Sequence, residues 1–224
     1  MLLDDIIVLL NETARNAHVI DDEPIDPRLW QDWLMLKRNN YIKNYINQKG
    51  SLEQNTLQSI VLDVEKYDTT LESSGTDALS LGKYILRTEL CPTLLEGQAG
   101  VAVSELTSAD ILSRTIQLVS MDRLRWCGNG KVNKHFLFSA FDDGRFYLKS
   151  NSEIEKPITK LKVTGVFADP IEVSSYVKTT MDYPVNNYMI EYIKNDILNQ
   201  DFNFIRKTQA DTLNNANGEI PSQS

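Results

Sequence analysis

The residues best suited to chemistry in this chain are two histidines, His18 and His135, and two cysteines, Cys91 and Cys127. A nucleophile and its base need a Ser or Cys within hydrogen-bond reach of an imidazole, held in an elbow, a helix motif or a glycine turn. Neither histidine lies in such a motif: His18 is expected at the end of a helix and His135 at the start of a strand. The two thiols lack CxxC spacing and the histidines add no ligand cluster, so no disulfide framework, zinc site or cofactor is signalled, and reduced, buried cysteines are expected. Gly75-Thr-Asp-Ala-Leu-Ser-Leu-Gly82-Lys83 superficially resembles a phosphate loop. Its glycines are too far apart, however, and Tyr84 stands where a magnesium-binding Ser or Thr belongs. The carboxylates Asp4-Asp5 and Asp21-Asp22-Glu23 flank termini and turns, where capping or solvation accounts for them. These residues point away from an enzyme.

Charge bounds the partners. A net charge of −8 argues against a surface that grips nucleic acid throughout and suits one that DNA passes without sticking. Asp4 and Asp5 stand where a signal peptide carries Lys or Arg, and the Ile6–Leu10 apolar run is too short to span a bilayer, so a cytoplasmic product without a membrane anchor is expected.

The elements follow from caps and periodicity. Asp26-Pro27 predicts a helix start and Gly50 its left-handed stop, with Leu29, Trp30, Trp33, Leu34, Tyr41, Tyr45 and Ile46 on one face. Core packing is the expected fate of Trp30 and Trp33. A helix over residues 1–17 precedes it, with Leu3, Ile6, Ile7 and Leu10 on one face. Residues 1–26 are acidic, whereas Arg28, Lys37, Arg38 and Lys43 make helix 27–49 basic. This suits two antiparallel helices with complementary rims; alternatively, the basic face meets DNA. Ser51-Leu-Glu-Gln54 has the form of a capping box and predicts a short helix to about Ile60.

A strand over residues 61–68 and a polar loop over 69–82 should follow, and residues 84–167 carry mainly β signals. Ser120 precedes a single helical excursion, Met121–Trp126. The clearest local signal is Phe136–Lys149, where Asp143-Gly144 predicts a type I′ hairpin that sets Asp142 opposite Arg145 and Phe141 opposite Phe146. Leu161, Val163 and Phe167 should line the inner face of a last strand, with Lys160, Lys162 and Thr164 outside. Asn186 or Asn187 then caps a final helix whose apolar stripe is Met189, Ile190, Ile193, Ile197, Leu198, Phe202 and Ile205. That helix either folds back to complete a helical bundle or offers its apolar face to a neighbouring molecule. Residues 208–224 have little to bury, so a flexible tail, or one ordered only by a partner, is expected.

This order of elements resembles a tailed-phage head-to-tail connector, and more narrowly the adaptor or ring proteins of crAss-like, short-tailed phages. Asp26-Pro-Arg-Leu-Trp-Gln-Asp-Trp-Leu-Met-Leu-Lys-Arg38, Ser120-Met-Asp-Arg-Leu-Arg-Trp-Cys-Gly-Asn-Gly-Lys131, the Asp142–Arg145 hairpin, Val163–Pro170 and Tyr188–Ile193 carry the resemblance. It implies a structural virion protein of the neck or tail, forming a ring, commonly twelvefold, that joins the portal to the next tail or ring protein and continues the DNA channel. The expected fold class is α+β: an N-terminal helical bundle (1–60) completed by a C-terminal helix (184–206), with an inserted antiparallel β section (61–183) and a flexible tail (207–224). Met189, Ile190, Ile193, Ile197, Phe202 and Ile205 are then candidate partner-docking residues, and Arg28, Lys37, Arg38 and Lys43 candidate subunit-interface charges. The alternative is a small nucleic-acid-binding accessory protein using the basic face of helix 27–49.

Overall fold

Asp26 and Pro27 open a helix because the Asp26 carboxylate accepts the Arg28 amide at 2.9 Å and Pro27 has no amide to leave unpaired. This helix, α2 (Pro27–Lys49), ends where Gly50 turns left-handed, at φ 65°, and donates its amide to the Ile46 carbonyl. The computed structural model describes residues 1–17, 26–66, 85–98, 100–109, 115–127, 136–149 and 158–202. His18, His135, the glycine-rich stretch at 75–83 and the expected tail lie outside them. The chain divides into two compact units, residues 1–45 with 178–224, and residues 46–177.

In the first unit, α1 (Leu3–Ala17) buries Leu3, Ile6, Leu10 and Ala14, and α2 buries Trp30, Leu34, Arg38 and Ile42 at steps of four. The third member, α4 (Asn187–Asp196), follows the buried run Tyr183–Asn186 and continues into one wider π turn, Ile197–Phe202. Met189, Ile190, Ile193 and Ile197 face inward. Two ion pairs hold α1: the amino terminus to Asp182 at 2.6 Å, and Asp4 to Lys178 at 3.0 Å. The acidic start of the chain thus meets the segment leading into α4, whereas a rim shared with the basic face of α2 was expected.

The second unit is a sheet. After a short 3-10 turn at Gln54–Thr56 come β1 (Gln58–Lys66), β2 (Ile85–Thr88), β3 (Glu96–Gly97), β4 (Gly100–Val101), β5 (Val103–Ser108), β6 (Gln117–Leu118), α3 (Met121–Trp126), β7 (Phe138–Asp142), β8 (Arg145–Lys149) and β9 (Lys160–Gly165). The helix predicted from Ser51 is therefore only that turn: Glu53 is extended and Thr56 bonds back to its carbonyl through both amide and hydroxyl. Seven strands form one sheet in the order β5-β9-β1-β2-β8-β7-β6, while β3 and β4 make a small hairpin of their own. Neighbours are antiparallel except β6 and β7, which are parallel.

The expected fold class is corrected here. A helical bundle with an inserted antiparallel β section does not describe a chain whose described residues form a seven-stranded mixed sheet nearly closed into a barrel, together with four helices. Closure comes from residues just ahead of β6. Thr115 bridges Thr107 of β5, and the Ile116 amide donates to the Leu106 carbonyl at 2.8 Å, so the two ends of the strand order meet. Local periodicity does not report such a contact, because it joins strands whose pairing is set by the whole sheet.

Alternation sorts the side chains. Ile60, Leu62, Leu106, Phe146, Leu148, Leu161, Val163 and Phe167 share the main core. Each such side chain contributes about 1.5–3 kcal/mol by leaving water. Residues of opposite parity, Ile85, Phe138, Ala140 and Tyr147, lie on the other face under α3, which drives Leu124 into them. The Asp143-Gly144 turn has positive φ at both positions, pairs Asp142 with Arg145, and brings the Phe141 and Phe146 rings to 4.8 Å.

Candidate assembly surfaces

The candidate docking stripe on the last helix is covered by its own chain. Met189, Ile190, Ile193 and Ile197 are buried in the first unit, while the Phe202 side chain and Ile205 lie outside the described residues. What α4 presents outward is Tyr188 and Tyr192, with the Tyr192 ring 6.1 Å from that of Tyr41. Burial, the Asp196 carboxylate and Tyr192 together raise the Tyr41 phenol above its ordinary value, so it remains a hydrogen-bonding hydroxyl at neutral pH.

The four candidate interface cations separate. Arg28 and Lys43 are exposed, and Lys37 reaches the Gln200 amide oxygen at 2.9 Å. Arg38 is fully buried: its Nε donates to the Pro184 carbonyl at 2.8 Å, an Nη donates to Asn39 at 2.8 Å, and the guanidinium carbon stands 5.8 Å from the Tyr183 ring centre. It pins the segment before α4 and is not part of an outer basic face. Position 38 continues the 30-34-42 ladder, and that spacing was the available signal. An arginine on an apolar stripe is easily assigned to the rim by its charge alone.

No chemical centre emerges among the described residues, which contain no group of three or more His, Cys, Asp or Glu side chains able to hold a metal ion. Cys91 is buried with its thiol pushed up to about 12 by desolvation, so it stays protonated and unreactive near neutral pH. Lys149 is buried too, and desolvation lowers its pKa although the neighbouring Cys127 opposes the shift. Its ammonium caps α3 by donating to the Arg125 carbonyl at 2.6 Å. Among the described residues, no helix is long and apolar enough to cross a membrane.

Two exposed patches of the β unit were not identified from the sequence. Trp126, the last residue of α3, is 79 % exposed, and Phe136, just before β7, is 57 % exposed. They lie at the same end of the sheet: Lys149, whose ammonium holds Arg125, pairs with Phe138, two residues beyond Phe136. Arg123 is exposed and Arg125 half-buried beside them. The helix itself carried the signal, since Trp126 follows the inward Leu124 by two residues, about 200° round the axis. At the other end of β7, Leu90 is 65 % exposed and lies against Gly144, the Cys91 amide donates to the Gly144 carbonyl at 2.8 Å, and Asp142, Asp143 and Glu89 are exposed.

The chain as a whole matches a known family: residues 2–221 fit the family model described as phage tail ring protein 2, of the crAss-like phages. The chain belongs to that family. A comparison with curated proteins finds no match. Membership makes this ring protein a structural component of a phage tail, hence of the virion, and a protein that associates with copies of itself. A structural tail family also points away from an enzyme.

Proposed function

We propose that the ring this protein forms joins the portal to the tail and continues the DNA channel, with twelvefold symmetry. The single observation that carries the reading is the match to a tail ring family over residues 2–221. A net charge of −8 supports it, because a lumen lined by such a chain repels the phosphate backbone and lets DNA slide. Arg28 and Lys43, exposed on α2, are the cations we assign to contacts with a neighbouring subunit. DNA passes without specific binding.

The portal-docking element in this reading is the C-terminal segment 207–224 together with Phe202 and Ile205. The test is reconstitution of the full chain with the portal dodecamer, examined by electron microscopy. A twelvefold ring seated on the portal, lost when residues 207–224 are deleted, is the expected result. A chain that ignores the portal, or a ring of another symmetry, counts against it. Deletion from residue 186 is unsuitable, because it removes the buried Met189, Ile190, Ile193 and Ile197 and with them part of the core.

A further inference from the structure

We propose that adjacent subunits of the ring, beside the contacts assigned to Arg28 and Lys43, meet head-to-tail through the β unit, with the Trp126–Phe136 patch of one copy receiving the Leu90–Asp143 lip of the next. The inference rests on the self-assembly that ring-family membership implies and does not depend on the portal.

A ring of identical chains needs a heterologous interface, two different surfaces of one subunit that fit each other. The β unit presents such a pair. One patch is aromatic with two arginines: Trp126 and Phe136, both exposed, with Arg123 exposed and Arg125 half-buried on α3, whose first turn also exposes Asp122. The other is apolar and acidic: Leu90 against the Gly144 turn, flanked by Glu89, Asp142 and Asp143. They stand at opposite ends of β7, about 20 Å apart along the strand for six residues at roughly 3.3 Å each. No single copy can bring them together, but successive copies can.

The chemistry favours a second copy over an unrelated partner. The surface carrying the arginines belongs to a chain of net charge −8, so the complement they need is abundant on the chain itself. Tryptophan and arginine are the residue types that most often carry binding energy at the centre of an interface, and a leucine between carboxylates supplies the apolar counterpart with an acidic rim. Like patches repel: two arginine-rimmed or two carboxylate-rimmed faces set against each other are disfavoured, which selects the head-to-tail pairing over a two-fold one.

The test uses the full-length chain with Cys91→Ala and Cys127→Ser as background. Leu90→Cys and Trp126→Cys are placed on separate chains of distinguishable size, which are mixed and treated with a short bis-maleimide. A several-fold excess of the mixed product over either self-linked product is expected, falling as salt is raised. It should be lost with Arg123→Glu plus Arg125→Glu and partly regained when the partner chain carries Asp142→Lys and Asp143→Asn. Self-linked Trp126→Cys chains in excess, or no mixed product, overturn the proposal. Electron microscopy of the unsubstituted chain separates the two readings: rings without mixed product discard this contact and leave the ring, whereas neither rings nor product discards both. The exposed Leu90, Arg123, Trp126, Phe136, Asp142 and Asp143 permit substitution without touching the core, and thermal melts of every variant, the half-buried Arg125→Glu and the Cys91→Ala, Cys127→Ser background included, check that the fold is kept. Should Trp126→Cys fail to fold, Phe136→Cys takes its place with the same expected outcomes.

Discussion

The Ile116 amide donates to the carbonyl of Leu106 across 2.8 Å, tying the first strand of the sheet order to the residue just before the last. One hydrogen bond and the Thr107–Thr115 bridge beside it turn an open sheet into a nearly closed one. Ile116→Pro, which removes the donor, is expected to destabilise the protein by several kcal/mol, whereas Ile116→Val should cost about 0.5–1.5 kcal/mol. Urea unfolding of the two variants separates closure from packing. Equal costs would show that the bond contributes nothing.

Gly165 ends β9 opposite Val103, the first residue of β5. A Cβ there would stand 2.6 Å from the Ala102 carbonyl oxygen, and the neighbour is backbone that cannot swing aside. The β5–β9 pairing shifts register at this point, between Val103 and Glu105. Gly165→Ala is therefore expected to cost about 1–3 kcal/mol or more by overpacking. Gly50→Ala serves as the control: its φ is 65° with open space around it, and a cost of about 1–2 kcal/mol comes from backbone strain alone. Thermal melts that rank Gly50→Ala as the worse change would refute the close-approach account.

Thr88 is fully buried with both roles of its hydroxyl used: it accepts the Phe146 amide at 3.0 Å and donates to the Glu89 carbonyl at 2.9 Å. Thr88→Val keeps the shape and leaves the Phe146 amide without its acceptor, for an expected loss of about 1–3 kcal/mol. Thr88→Ser should lose less. Amide exchange at Phe146 should accelerate in the valine variant, and unchanged protection would contradict the assignment.

Arg38→Ala is expected to destabilise by about 2–4 kcal/mol, because the Pro184 carbonyl loses a charged donor and a cavity opens beside Tyr183. Arg38→Lys should recover little, since an ammonium cannot reproduce the planar fork. Lys43→Gln, on the exposed side of the same helix, should stay within about 0.5 kcal/mol. Denaturant midpoints that move equally for positions 38 and 43 would return Arg38 to the rim.

Cys91 supplies a pH signature. Its thiol is raised from the usual 9.0 to about 12 in the fold, so the folded state holds its proton over a range where the unfolded chain releases it. The stabilisation is complete below about pH 9 and is lost as pH rises towards 12. Wild type and Cys91→Ala should therefore converge in relative stability over that window, the difference removing the common titration of lysines and tyrosines. Parallel stability curves from pH 8 to about 12 would show that the thiol is not held neutral. Native protein should also leave Cys91 unlabelled by a thiol reagent at neutral pH.

Much of the local structure was legible beforehand. Asp26-Pro27 and Gly50 bound α2, Asp143-Gly144 makes the hairpin with the expected partners, and Leu161, Val163 and Phe167 line one face, because caps, turns and alternation act within a few residues. The capping-box pattern at Ser51 misled for the opposite reason: a local helix signal of four residues yields to the pairing of β1 with β9, six residues long.

What the sequence by itself determined was the bounds of α2, the Asp143-Gly144 hairpin, the alternation along β9 and the resemblance to phage ring proteins. Only the tertiary structure decided that the strands close on themselves, that Arg38 lies inside and the α4 stripe is covered, and that Trp126 and Leu90 face solvent at opposite ends of one strand. The physical reason is range. Dihedral preference and capping are properties of neighbours in the chain, whereas burial and sheet closure depend on residues tens of positions apart whose pairing emerges only when the whole sheet forms.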